Sequence, residues 1–178
     1  MLGFIFYKKS PRYVEPKHAA DIIRQLPQSI QPVGVFVNES RDTIQRIIAD
    51  TGIRVIQLSG DEVPADCSGY DVEIWKTFRL LHIDEAKIVN HFNISAAMLD
   101  GARNGEYGGS GMFPDVAVAL EMKKYHPLVL AGGLNPDNIL SAIHQVSPFA
   151  VDINSGVELA PGKKDHTKVK RLFEKLGH

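Results

Sequence analysis

Residues 128–136 read L-V-L-A-G-G-L-N-P, and residues 149–158 read F-A-V-D-I-N-S-G-V-E. Each opens on three apolar residues, as a strand buried on both faces does, and then breaks into glycine and polar residues. In the first, Gly132 and Gly133 remove side chains where backbone N–H groups could close on an anion. Asn135 and Pro136 then open a helix, as cap and first-turn proline. In the second, the strand runs through Asp152 into Asn154, Ser155 and Gly156. Either loop alone reads equally well as an ordinary connection that uses glycine for its turn. Two such loops at consecutive strand ends match the phosphate site of an eight-stranded α/β barrel, which lies after the last two strands with help from a short helix N-terminus. The expected ligand is a phosphorylated small molecule.

Outward from these loops, strand-length apolar runs alternate with helix-period segments over the whole chain, the pattern of parallel β/α units. Strands are expected at 2–6, 33–37, 55–58, 72–78, 96–99, 128–130 and 149–151. Helices are expected at 16–26, with Ala19, Ile22, Ile23 and Leu26 on one face, and at 43–49, with Ser40 as a cap. Two more are expected from Pro136 through Ile139, Ile143 and Val146, and over 165–176 with Val169, Leu172, Phe173 and Leu176 inward. A doubly wound sheet could use the same alternation, so the loops decide for a TIM (β/α)8-type barrel. One domain over residues 1–178 is expected, although a closed eight-unit barrel usually takes ~200 residues or more.

The chain has 20 basic and 21 acidic residues and a formal net charge of -1. No global field draws it to nucleic acid or to an anionic membrane, which favours small-metabolite chemistry. The apolar run 2–7 is too short for a signal-peptide core or a membrane span, so a soluble, cytoplasmic protein is expected. Cys67 is the single cysteine, which excludes an intrachain disulfide and a Cys-rich metal site. Its neighbours Ala65, Asp66, Ser68 and Gly69 read as a polar surface connection, and an unreactive thiol is expected. The seven histidines lack ligand spacing, and no metal is expected. A third glycine run, Y-G-G-S-G at 107–111, reads equally as a mobile lid or as a flexible connection.

Seven motifs then occur in a familiar order: G-F-I-F-Y-K-K-S-P-R-Y (3–13), V-G-V-F-V-N (33–38), I-Q-L-S-G-D-E (56–62), M-L-D (98–100), Y-G-G-S-G, A-G-G-L-N-P, and D-I-N-S-G-V-E with P-G-K-K-D after it. In these the chain resembles the phosphoribosylanthranilate isomerase family of tryptophan biosynthesis. The resemblance implies an Amadori rearrangement of N-(5-phosphoribosyl)anthranilate to 1-(2-carboxyphenylamino)-1-deoxyribulose 5-phosphate, without cofactor or metal. That chemistry needs an acid to protonate the ribose ring oxygen and a base to remove the C2′ proton. By resemblance Asp100 is the general acid, and Arg12 anchors the anthranilate carboxylate, a task for which its planar fork is suited. Gly132, Gly133, Asn154, Ser155 and Gly156 would contact the phosphate, with Asp152 beside them in a role the resemblance does not assign.

The family's general base is a cysteine in a K-I-C-G motif at the end of its first strand, and this chain has no counterpart. The sequence opens at the family's second strand, so the first βα unit is expected to be missing. The runs 2–6 and 149–151 would then be unpaired apolar edges, which invite a homodimer through the open barrel edge. The alternative to the isomerase is an N-terminally truncated, catalytically impaired, phosphosugar-binding remnant. Ser59 stands where the family usually has histidine, and Met112 and Val116 stand where it has a basic residue and an aromatic.

Overall fold

The computed structural model describes residues 1–101 and 112–177. They fall into two compact units, residues 1–77 with 92–95, and residues 78–91 with 96 onward. The glycine run at 107–111 lies outside the described residues.

The first unit alternates β1 (Leu2–Ile5), α1 (Pro16–Ile23), β2 (Pro32–Phe36), α2 (Arg41–Thr51), β3 (Val55–Leu58) and β4 (Glu73–Phe78), whose last residue belongs to the second unit. The four strands are parallel and in chain order, and Phe4, Gly34, Ile56 and Ile74 form one rung. Local chemistry sets the helix ends. Pro16 opens α1 at its first position, and Ser40 caps α2 by accepting from the Thr43 N–H at 3.3 Å. Ile44 and Ile47 bury the inner face of α2, and the rings of Phe6 and Phe36 stack 5.3 Å apart.

Between β3 and β4 a single 3-10 turn, Pro64–Asp66, stands where a full helix would be usual. The neighbours Ala65, Asp66, Ser68 and Gly69 are exposed, as a surface connection requires, while Cys67 itself turns inward and is completely buried. The polar neighbours that suggested a surface loop bond back onto the main chain. Asp66 accepts from the Val63 N–H at 2.9 Å, and the Ser68 hydroxyl donates to the Ala65 carbonyl at 2.8 Å. That folding turns Cys67 inward, where burial pushes its thiol up to about 11.

The second unit contains a 3-10 stretch (Ile83–His91), β5 (Ala96–Leu99), α3 (Val116–Met122), β6 (Leu128–Leu130), α4 (Ile139–Val146), β7 (Ala150–Val151), a hairpin of β8 (Glu158–Ala160) and β9 (Lys163–Lys164), and α5 (His166–Lys175). Strands β5, β6 and β7 are parallel, with Leu99, Leu130 and Val151 on one rung. Every residue of β5 and β6 is buried, as the apolar runs require. Val118, Met122, Ile139, Ala142 and Val146 supply the helix side of this core.

All seven expected strands are present, each within a residue of its expected ends. The helix expected from Pro136 starts at Ile139 instead. Residues 136–138 form a capped turn: the Asn135 side chain accepts from the Asp137 N–H at 2.8 Å, and Asn138 reaches back to the Gly133 carbonyl at 2.9 Å. In α5 Phe173 is 51% exposed, not inward, and Leu172 alone is buried. Leu2 and Phe149, at the start of the first and last parallel strands, are 41% and 66% exposed. Sequence reading missed α3, capped by Asp115, and the β8–β9 hairpin, whose residues show no apolar alternation.

Candidate functional site

The second unit gathers its polar side chains at the C-terminal ends of β5, β6 and β7. Asp100 follows β5 directly, and its backbone N–H donates to the Phe78 carbonyl at 3.1 Å, which fixes the strand end. The residue is only 8% exposed. Burial raises its carboxyl above the ordinary 3.8, while the Arg79 guanidinium and the Gly101 N–H oppose the rise without cancelling it. The carboxyl therefore keeps its proton to higher pH than a surface aspartate, as a general acid must.

The loop after β6 runs directly against this acid. Gly132 has φ +89, and a Cβ there would lie 2.9 Å from an Asp100 carboxylate oxygen and 2.7 Å from the Met112 carbonyl. Only glycine fits both the backbone conformation and the approach. Gly133, also at positive φ, offers its carbonyl to Asn135 Nδ2 at 3.2 Å and to Asn138 Nδ2. The loop after β7 packs on the loop after β6: a Cβ at Gly156 would collide with the Leu134 carbonyl and come within 3.0 Å of the Asn135 side chain. The two glycine loops quoted first from the sequence are thus one interlocked structure.

Within it, Lys164 of β9 donates to the Asn154 carbonyl at 3.0 Å, to its side-chain oxygen at 2.7 Å and to Glu158 at 3.2 Å. Asn154 is held by the protein through that oxygen, whereas Ser155 stands exposed at the start of a 3-10 turn, Ser155–Val157. Asp152 continues β7, its N–H donating to the Leu130 carbonyl at 2.9 Å. It keeps solvent-exposed surface although protein crowds its carboxylate. Desolvation by the surrounding protein raises its carboxyl above the ordinary 3.8, the charge of Asp100 adds to the rise, and Lys164 opposes it.

Arg12 belongs to the first unit, in the loop after β1. It is half-buried, and its N–H donates to the Ser10 hydroxyl at 3.1 Å, while the next residues fold back onto β1 through a Val14 N–H to Ile5 carbonyl bond of 3.0 Å. Ser59 is buried in a hydroxyl and amide cluster, 3.0 Å from Thr77 Oγ1 and 2.9 Å from Gln57 Nε2. Met112 approaches Gly101 and Gly132 through its carbonyl, while its side chain is 48% exposed, and Val116 is the first residue of α3. Cys67, buried and with its thiol pushed up, is no base. It borders a cavity of about 280 Å³ in the first unit that is lined by no charged residue.

Sequence reading gave no role to Arg79, Lys164 or the buried pair Lys76 and Glu62. The signal for each was slight: a lone cation after T-F, a lysine in P-G-K-K-D, and a lysine inside the apolar run of β4. Among the described residues no three His, Cys, Asp or Glu side chains group as metal ligands would, and no helix is long and apolar enough to cross a membrane.

Parallel strands alternating with helices, and a buried carboxyl raised by desolvation beside interlocked loops at the strand ends, define an enzyme site of the α/β-barrel class. The family described as N-(5'phosphoribosyl)anthranilate (PRA) isomerase matches residues 1–175, and the chain belongs to it. A relative named N-(5'-phosphoribosyl)anthranilate isomerase from Citrifermentans bemidjiense is 43% identical over 172 residues, covering 97% of this chain and 84% of its own length. The crystal structure of phosphoribosyl anthranilate isomerase from Thermus thermophilus superposes with a TM-score of 0.89 at 31% identity, covering 99% of this chain and 86% of that one. A second isomerase structure, in complex with reduced 1-(o-carboxyphenylamino)-1-deoxyribulose 5-phosphate, superposes with a TM-score of 0.83 at 34% identity, covering 98% and 86%. These relatives are isomerases, and none of them supports the reading of a binding-only remnant.

Proposed function

We propose that this chain isomerises N-(5-phosphoribosyl)anthranilate to 1-(2-carboxyphenylamino)-1-deoxyribulose 5-phosphate, with Asp100 as the general acid. Asp100 gives its proton to the ribose ring oxygen, and the C1′–O bond breaks as the anilino nitrogen lone pair forms C=N. Loss of the C2′ proton to a base yields the enolamine, which tautomerises to the ketone. Gly132, Gly133, Ser155 and Gly156 receive the phosphate, Asn154 shapes that loop through Lys164, and Arg12 receives the anthranilate carboxylate as a planar fork. The observation that carries the reading is a buried Asp100, its carboxyl raised by desolvation, beside a glycine loop in a chain of this family. The named ligand of the second isomerase structure carries a carboxylate and a phosphate, the groups proposed here for Arg12 and for the glycine loops respectively.

The test follows substrate fluorescence, which falls as the aldosylamine is consumed. Asp100→Asn is expected to lower kcat by ~10²–10⁴ while a product analogue still binds. Full turnover by that variant would remove Asp100 from its role.

A further inference from the structure

Leu99, Leu130 and Val151 share a rung across β5, β6 and β7. The ladder continues one residue further, because the Ala131 N–H donates to the Leu99 carbonyl at 2.9 Å and the Asp152 N–H to the Leu130 carbonyl at 2.9 Å. Extending the same register by one residue sets Asp100, Ala131 and Asp152 side by side. Successive side chains along a strand alternate faces, so these three lie together on the face opposite Leu99, Leu130 and Val151. Two strand spacings separate the aspartates, roughly 10 Å between Cα atoms. On the sheet the residue between them is an alanine, and the one after it is Gly132. The pair differs in access: Asp100 is 8% exposed, whereas Asp152 is open to solvent.

We propose that Asp152 is the solvent-side proton partner of Asp100, the two carboxyls acting across Ala131 as one proton-sharing pair that recharges the buried acid. This rests on the isomerase reading for its purpose, but not for its test. Asp152 is a positioning residue here, acting on the substrate only through Asp100. Once Asp100 has passed its proton to the ring oxygen it is a carboxylate, and the Asp152 carboxyl supplies a proton to it, directly or through one water. Asp152 is then the anion, faced by Lys164, and regains a proton from solvent. The charged groups around the pair fit this order. Desolvation raises both carboxyls; Arg79 and the Gly101 N–H oppose the rise at Asp100, while at Asp152 the charge of Asp100 adds to it and Lys164 opposes it.

Carboxyl ¹³C shifts of Asp100 and Asp152, followed by NMR against pH, test the pair in the unaltered chain. Two carboxyls that share a proton show two inflections at common pH values, because the steps belong to the pair. In Asp100→Asn the upper step of Asp152 is expected to move to lower pH, and in Asp152→Asn the upper step is expected to vanish from the Asp100 curve. One independent inflection on each carboxyl, unmoved by replacing the other, would overturn the pairing. For the relay, Asp152→Asn is expected to lower kcat at least tenfold at unchanged KM, with recovery in Asp152→Glu. Coupled titrations with unchanged kcat would overturn that step. An unaltered chain without turnover would count against the isomerase reading instead, and the titrations would still decide the pair.

Discussion

Gly132 shows how much of this site rests on a side chain that is missing. Its φ of +89 alone makes any other residue strained, by roughly 1–2 kcal/mol. Added to that is a steric demand, because the first atom of a side chain would press on the Asp100 carboxylate and on the Met112 carbonyl. The two costs separate experimentally. Gly52, which ends α2 at φ +72, has nothing within 4 Å of where its Cβ would be. Gly52→Ala is therefore expected to lower Tm by a few degrees and leave kcat/KM unchanged. Gly132→Ala is expected to lower Tm by more and to cut kcat/KM at least tenfold, since a 1 Å misplacement of a catalytic group can cost ~10²-fold. Equal effects of the two on Tm, with activity intact in both, would show that the loop has room to move off Asp100. The glycine was legible in the sequence as a gap that lets backbone approach an anion. That it also makes room for the acid was not, because Asp100 lies 32 positions away and meets it only through the rung of β5 and β6.

At the scale of elements, strands were legible because a strand buried on both faces needs an unbroken apolar run, and β5 and β6 are such runs. Turns and amphipathic ends were read less well. The start of α4 moved because Asn138, not a helix position, ties the first turn to Gly133. Phe173 faces outward because α5 buries little beyond Leu172, so a heptad-like spacing overstated its inner face. The largest omission was in β4, where E-I-W-K-T-F hides a charge. The Lys76 ammonium is buried and donates to the carbonyls of Gly60 at 2.8 Å and Thr77 at 3.1 Å and to Glu62 at 2.9 Å, with both side chains under a tenth exposed. Glu62 in turn accepts from the N–H groups of Asn38 and Gly60, so the pair ties the loops after β2 and β3 to β4. Removing one member of a buried pair strands the other. Lys76→Met is expected to cost ~3–5 kcal/mol in urea unfolding, and the further change Glu62→Gln is expected to restore part of it. A loss below 1 kcal/mol would mean that water reaches Glu62.

For the molecule as a whole, the near-balance of charge gave a correct sense of small-molecule chemistry but no hint that two of its acids are held against their nature. Asp100 and Asp152 both have raised carboxyls in the folded chain, mainly through desolvation. Linkage fixes the sign. A group that binds its proton more tightly when folded adds stability while both states are protonated, below the ordinary 3.8, and that contribution is lost as pH rises through the folded value. Near neutral pH the folded state must hold these carboxyls in surroundings that resist their charge, so the site weakens the fold where the enzyme would work. Each such proton contributes a slope of up to about 1.4 kcal/mol per pH unit between the unfolded and folded values. Asp100→Asn is therefore expected to flatten the decline of stability above pH 4 and to unfold at higher denaturant than the unaltered chain at pH 7, while losing turnover. Asp152→Asn should act in the same direction but more weakly, because its exposed surface lets water screen the charge. Urea midpoints for the three chains between pH 4 and pH 8 make the comparison. Parallel curves would mean that neither carboxyl is held above its unfolded value, and would leave Asp100 an ordinary surface-like acid in a buried position.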